Sequence, residues 1–163
     1  MKSIFVTISV IFLLLVGTPS HSQMVAQRVS ASQPSIRPLI ATEQEVKQFF
    51  EDYIERYTAR NIEGFLWLFS SKAVQNQNDR LPGIREIYAN FFDQSQALRF
   101  RMEDQKVEIY ENAVEVKTRY EIEQIVKISE KRKVLRGWMR WVLIKEGGVL
   151  KISSVDYRNE KTP

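Results

Sequence analysis

The imidazole and thiol side chains that most often move protons at neutral pH or hold soft metals are nearly missing from this chain. Of its 163 residues one is histidine, His21, and none is cysteine. His21 falls inside a segment that reads as an export signal, so the mature chain is expected to carry neither type. That removes imidazole acid–base chemistry, thiol nucleophiles, disulfides and soft-ligand zinc sites. No metal and no other cofactor is expected. What remains is the chemistry of Asp, Glu, Tyr, Lys and Ser. Three carboxylates are candidate general acids. Asp156 lies late in the last apolar alternation, on the parity of Leu150 and Ile152, which would aim it inward. Asp104 ends an earlier alternation. Asp79 stands beside Arg80 in a polar stretch read as a loop. Each has a plainer reading, an acid at a strand end or turn with an arginine neighbour, and that reading is the favoured one.

A second set of residues could build a hollow. Tyr53, Tyr57, Trp67, Tyr88, Tyr120 and Trp141 recur at helical or strand spacing, with Met102 and Met139 at inward strand positions. Such residues are ordinarily core. Buried Tyr and Trp still need partners for O–H or N–H, and a hollow lined this way suits a flat, mostly apolar ligand.

The elements that must position these groups follow from periodicity. Thr42 with Glu45 is a capping box. Val46, Phe49, Phe50, Tyr53, Ile54 and Tyr57 then form one stripe of a helix of about 17 residues. Asn61 is an N-cap for a short helix, Ile62 to Phe69, apolar almost all round and therefore expected to be buried. Ser70 to Arg80 reads as a loop, and a third helix follows Pro82-Gly83. The period then switches to two. Leu98, Phe100 and Met102 alternate with charges; a long strand spans Ala113 to Ile128; another carries Leu135, Gly137, Met139, Trp141 and Leu143 on one face. Gly147-Gly148 is a hairpin turn, and Val149 to Tyr157 is the last strand. Helices followed by an antiparallel sheet with one buried and one wet face make an α+β fold. A long bent sheet wrapped round an amphipathic helix is cone-shaped, with an interior.

Domain limits come from composition. Residues 1–22 combine Lys2, an apolar run from Ile4 to Val16, and small residues before a cut after Ser22. The run is too short to span a bilayer of about 30 Å comfortably. Residues 23–41 are rich in Ser and Gln and read as a flexible linker. The domain is 42–158, with a disordered tail at 159–163. A cysteine-free exported domain fits the periplasm or secretion, with no membrane association once the signal is removed. Of 24 Lys and Arg, Lys2, Arg28 and Arg37 precede the domain, which leaves 21 against 20 Asp and Glu. With signs interspersed, no nucleic-acid footprint is expected.

The segment from Tyr57 through Phe69, the segment from Gly83 through Phe91, and the strand of Trp141 followed by Gly147-Gly148 and Leu150–Ile152 resemble the nuclear transport factor 2-like superfamily. These are cone-shaped α+β domains that include SnoaL-like cyclases, ketosteroid isomerase and scytalone dehydratase. The resemblance covers 42–157. The isomerase branch uses a Tyr on the first helix, an Asp base after the second helix and a protonated Asp on a late strand. Matched segment by segment, these fall at Tyr53, at or beside Gln77, and at or near Met139. An amide accepts no proton as a carboxylate does, and a thioether donates no hydrogen bond. The resemblance therefore implies the fold and leans away from that chemistry. Non-catalytic binding of a small apolar ligand or of a protein partner in the cell envelope is the leading expectation. The alternatives are a cofactor-free isomerase or lyase using Tyr53 with a displaced carboxylate, and an envelope scaffold or dimerisation module.

The outward sheet face is the other surface of interest. Arg136, Trp138, Arg140 and Val142 on one strand, with Ile125 on its neighbour, make an apolar patch ringed by charge, as interfaces often are. Superfamily members commonly pair through their sheets, so a homodimer through this face is expected.

Overall fold

The computed structural model describes residues 38–160. The proposed signal at 1–22, His21 with it, and all of the linker but its last four residues lie outside these, as do residues 161–163. The element order is α1 (Glu43–Thr58), α2 (Ile62–Trp67), β1 (Phe69–Gln75), β2 (Asp79–Arg80), α3 (Leu81–Asp93), β3 (Ser95–Ile109), β4 (Val114–Val126), β5 (Arg132–Glu146) and β6 (Val149–Asn159). The fold is α+β, with one six-stranded sheet in the order β2-β1-β6-β5-β4-β3. Only the β1–β6 pair is parallel; the others are antiparallel.

Local chemistry explains the helix limits. The Thr42 amide donates to Glu45 Oε2 at 2.7 Å and the Glu45 amide to Thr42 Oγ1 at 3.2 Å, closing the capping box. Lys145 Nζ meets the same carboxylate at 2.8 Å, and together these bonds hold Glu45 down at about 2. Asn61 Oδ1 accepts from the Gly64 amide at 3.0 Å and starts α2. Pro82 lies in the first turn of α3, where its missing N–H would have had no helical partner.

The curled sheet closes over α1. Phe50 and Tyr53 meet the Trp141 ring edge-on, with centroids at 5.1 and 5.6 Å, and Tyr57 meets Phe100 at 5.1 Å. Phe65 of α2 contacts Tyr88 of α3 at 4.7 Å. Edge-to-face pairs of this kind add about 0.5–1.5 kcal/mol each beyond burial. β4 and β5 alternate along their length: Val114, Val116, Thr118, Tyr120 and Ile122 point in, as do Met139, Trp141 and Leu143.

Several expectations need correcting. The stretch 70–80, read as a loop, forms β1 and β2 round the turn Asn76–Asn78. Its inward residues are Ser70, Ala73 and Gln75, too small or too polar to leave an apolar alternation. Phe69 opens β1 rather than ending α2. β4 stops at Val126, and Ile128 is 96% exposed in the following turn. Asp104 does not end a strand; it sits at φ 52° in a mid-strand bulge of β3 between Glu103 and Lys106. At the edges, the Ile40 amide donates to the Tyr110 carbonyl at 2.9 Å and Ala41 is buried, while Asn159 still belongs to β6.

The last strand holds the correction with most bearing on chemistry. Trp141 pairs with Val155 and Val142 with Ser154, but Leu143 pairs with Ile152. Ser153 is the extra residue of a bulge, and a bulge shifts side-chain parity by one. Beyond it Val155 and Tyr157 face inward and Asp156 faces out.

Candidate functional site

A cavity of about 350 Å³ opens between α1, α3 and the inner faces of β4, β5 and β6. α1 supplies Tyr53 and Tyr57, α3 supplies Ile87, Tyr88, Asn90 and Phe91, and Gln94 follows it. The sheet supplies Tyr120, Ile122, Leu135, Met139, Tyr157 and Asn159. Five of the 13 are tyrosines and none carries a charged side chain.

The polar groups here are neutral donors and acceptors. Tyr120 donates through its hydroxyl to Asn159 Oδ1, and burial pushes its phenol up to about 12. Tyr53 is fully buried, and its hydroxyl makes no hydrogen bond among the described residues. Trp141 and Tyr88 are its nearest hydrogen-bonding neighbours, and neither reaches full hydrogen-bond geometry. Loss of hydration raises the Tyr53, Tyr57 and Tyr88 phenols well above their ordinary value. At any physiological pH they are protonated donors.

Of the residues expected in the hollow, Tyr53, Tyr57, Tyr88, Tyr120 and Met139 line it. Trp141 lies behind Tyr53, fully buried in the core, its indole N–H without a partner. Met102 pairs with Tyr120 across β3 and β4 and is half-buried against the core. Trp67 was expected inside and is 53% exposed. It is held on the surface by Lys151, whose Nζ lies 3.2 Å from the ring centroid and donates to the Trp67 carbonyl, and by Arg56 at 5.3 Å. Burial lowers the Lys151 pKa. An indole capped by two cations keeps its face covered without entering the core.

Sequence reading missed Tyr157 and Asn159 in the lining. Their inward aim depends on the Ser153 bulge, and no local signal in Ile152–Val155 marks it. Asn90 is a polar residue of α3 and Gln94 caps that helix, and both types ordinarily read as solvated.

The three candidate acids stand outside the cavity. Asp156 faces outward, 3.5 Å from Arg140 Nη1. Asp104 and Asp156 border a different, outward cleft. Asp79 belongs to the edge strand β2, with its side chain near Gly83 at the start of α3. Gln77 and Asn76 form the turn before it, at φ 67° and 47°.

Deeper in the fold, Gln75 is fully buried and neither its side-chain amide nitrogen nor its oxygen has a partner among the described residues. Such groups cost about 1–3 kcal/mol each when unpaired. Gln75→Met keeps the chain length and drops both polar atoms. It is expected to raise stability by about 1–3 kcal/mol, read as a higher urea midpoint at unchanged slope. A lower midpoint would mean that ordered water satisfies the amide.

The outer face differs from the expected apolar patch. Glu121 pairs in register with Arg136, which sets Trp138 opposite Arg119 and Ile125 opposite Arg132. Ile125 is therefore six residues along β4 from the Trp138 partner, about 20 Å away. Trp138 is 53% exposed under the Arg119 guanidinium at 5.7 Å, and Arg140 separates it from half-buried Val142. Most of this face is an ion-pair lattice. Arg101 reaches Glu121 at 2.9 Å and Glu123 at 3.3 Å; Arg136 reaches Glu121 at 2.7 Å and Arg132 reaches Glu123 at 3.1 Å.

With this geometry in view, likenesses among solved structures follow the fold. A Novosphingobium aromaticivorans protein provisionally assigned as a scytalone dehydratase superposes with TM-score 0.65 at 11% identity, over 72% of this chain and 83% of its own. A nuclear transport factor 2-like superfamily protein from Salmonella enterica serovar Typhimurium gives 0.64 at 13%, over 73% and 91%. A Streptomyces avermitilis protein provisionally assigned as a dehydratase of the same family gives 0.64 at 10%, over 73% and 96%. The sequence matches no protein-family model and no curated protein. At these identities the likeness is one of fold: the described domain has the nuclear transport factor 2-like cone.

Proposed function

Taking that cone as the premise, we propose that this protein binds a small, flat, mostly apolar and uncharged ligand in its hollow and does not turn it over. The observation that carries this reading is the lining itself: 13 side chains, all neutral, five of them tyrosines. Apolar walls supply affinity, and a few amide and phenol groups orient the occupant. Proton transfer at neutral pH needs a group whose pKa lies near the working range. The buried phenols lie far above it, and Asp79, Asp104 and Asp156 are placed elsewhere. The amino-terminal pattern supports an envelope or secreted setting, where such a domain would capture or carry its ligand.

Native mass spectrometry of freshly purified protein tests this directly. The expected result is a copurified neutral molecule that organic extraction releases and that Leu135→Trp, which fills the cavity, excludes. Turnover of an extracted or related compound, abolished by changing Asp79, Asp104 or Asp156, would overturn the reading. So would repeated preparations that hold no ligand and take up no neutral aromatic probe.

A further inference from the structure

We propose a second binding site, on the outer face of the sheet, that takes a planar aromatic carboxylate. It faces outward, shares Met139 and Tyr157 with the lining of the hollow, and goes beyond the function proposed for that hollow.

The register of the strands motivates this. Lys106 of β3 stands directly opposite Lys117 of β4, and Lys117 directly opposite Arg140 of β5. Like charges in directly paired positions destabilise a sheet, yet here three cations from three strands form one row. In the next outward row Trp138 lies between Arg119 and Arg158. These rows border a cleft of about 590 Å³. Lys106, Lys117, Arg140 and Arg158 line it against Asp104 and Asp156.

The cations are only partly neutralised from within. Lys106 reaches Glu108 at 2.9 Å and Lys117 reaches Glu115 at 2.7 Å. Arg140 also bonds Glu115, whose carboxyl is held down at about 2 by Lys117 and Arg140. Glu108 and Glu115 lie outside the cleft lining, so these pairs steady the cations without filling the space between them. Inside the cleft, Asp156 meets Arg140 at the long distance of 3.5 Å. Arg158 is exposed and forms no ion pair among the described residues.

The walls are built to a fixed shape. Asn76 and Gln77 make a tight left-handed turn closed by the Asn78 amide on the Gln75 carbonyl at 3.1 Å. Asn76 Oδ1 accepts from the Tyr157 amide at 2.9 Å, which pins that turn to the cleft edge. The Asp104 bulge forms the opposite rim. Between the rims lies the half-exposed Trp138 ring, a flat apolar surface beside guanidinium groups. A carboxylate matches the arginine fork, and an attached ring matches the indole.

The test uses 2-naphthoate and its uncharged counterpart 2-naphthylmethanol, titrated into the isotopically labelled mature protein and followed by amide and indole shifts. The carboxylate is expected to bind about tenfold more tightly than the alcohol. Its shifts should centre on Lys117, Trp138 and Arg158, and its affinity should fall several-fold when salt rises from about 20 to about 200 mM. Arg158→Gln, which breaks no ion pair among the described residues, should weaken binding about fivefold. Equal affinity for acid and alcohol, no response to Arg158→Gln, or shifts centred on Tyr57 and Tyr88 would overturn the proposal. A concentration-dependent dimer that buries Trp138 and excludes naphthoate would also overturn it, because the face would then belong to a second copy.

Discussion

Trp141→Ala is expected to remove about 3–5 kcal/mol of stability, the cost of emptying a buried tryptophan site. The indole is fully buried between Phe50 and Tyr53, and its strand lies near the middle of the sheet. A domain of this size holds about 5–15 kcal/mol in total, so the melting temperature should fall by roughly 10–20 °C. Trp141→Phe separates two contributions. It keeps an aromatic ring against Phe50 and Tyr53 and removes the indole N–H that has no partner. Relief of that group offsets part of the lost area, so the Phe variant should stay within about 1 kcal/mol of the parent. Equal damage from Phe and Ala in urea unfolding would show that the N–H is bonded in solution.

Gly137→Ala is expected to cost about 3 kcal/mol, near the upper end for overpacking in a filled interior. A Cβ at this position would stand 2.0 Å from the Arg158 carbonyl oxygen and 3.0 Å from Asn159 Cα. Both obstacles are backbone, so no rotamer change relieves them. The end of β6 must move outward, taking with it the Tyr120–Asn159 hydrogen bond and one edge of the hollow. Hydrogen exchange should locate the effect: the Glu160 amide, bonded to the Arg136 carbonyl at 2.8 Å, should lose protection before amides of β4 do. Unchanged exchange at Glu160 together with a parental melting temperature would show that the strands part without cost.

Much of this architecture was legible because periodicity encodes burial. The stripe of α1, the capping box and the alternation of β4 and β5 appear where the spacing puts them, and the nuclear transport factor 2-like resemblance rested on the segments Tyr57–Phe69 and Gly83–Phe91 and on the Trp141 strand with its last hairpin. Five of eight expected hollow residues line the cavity. The failures share a cause. Trp67, Asp156 and the β1–β2 hairpin are decided by pairings outside their own segments: Lys151 over an indole, the offset of β6 against β5, and a parallel pairing to a strand some 80 residues away. Ser70, Ala73 and Gln75 face inward without looking apolar. The placement of Ile125 failed for a related reason, since parity gives the face of a side chain but not its register against the next strand.

The bulge at Ser153 has a consequence for how such a hollow can change. Removing that one residue would slide everything after it by a single step, bringing Asp156 into the place Val155 now holds beside Trp141. An acid would then stand within the aromatic interior near an unbonded phenol, with every wall residue of α1 and α3 unaltered. In a scaffold of this kind, a one-residue deletion in β6, an interior strand of the sheet, is a shorter route to a reactive chamber than any substitution inside it.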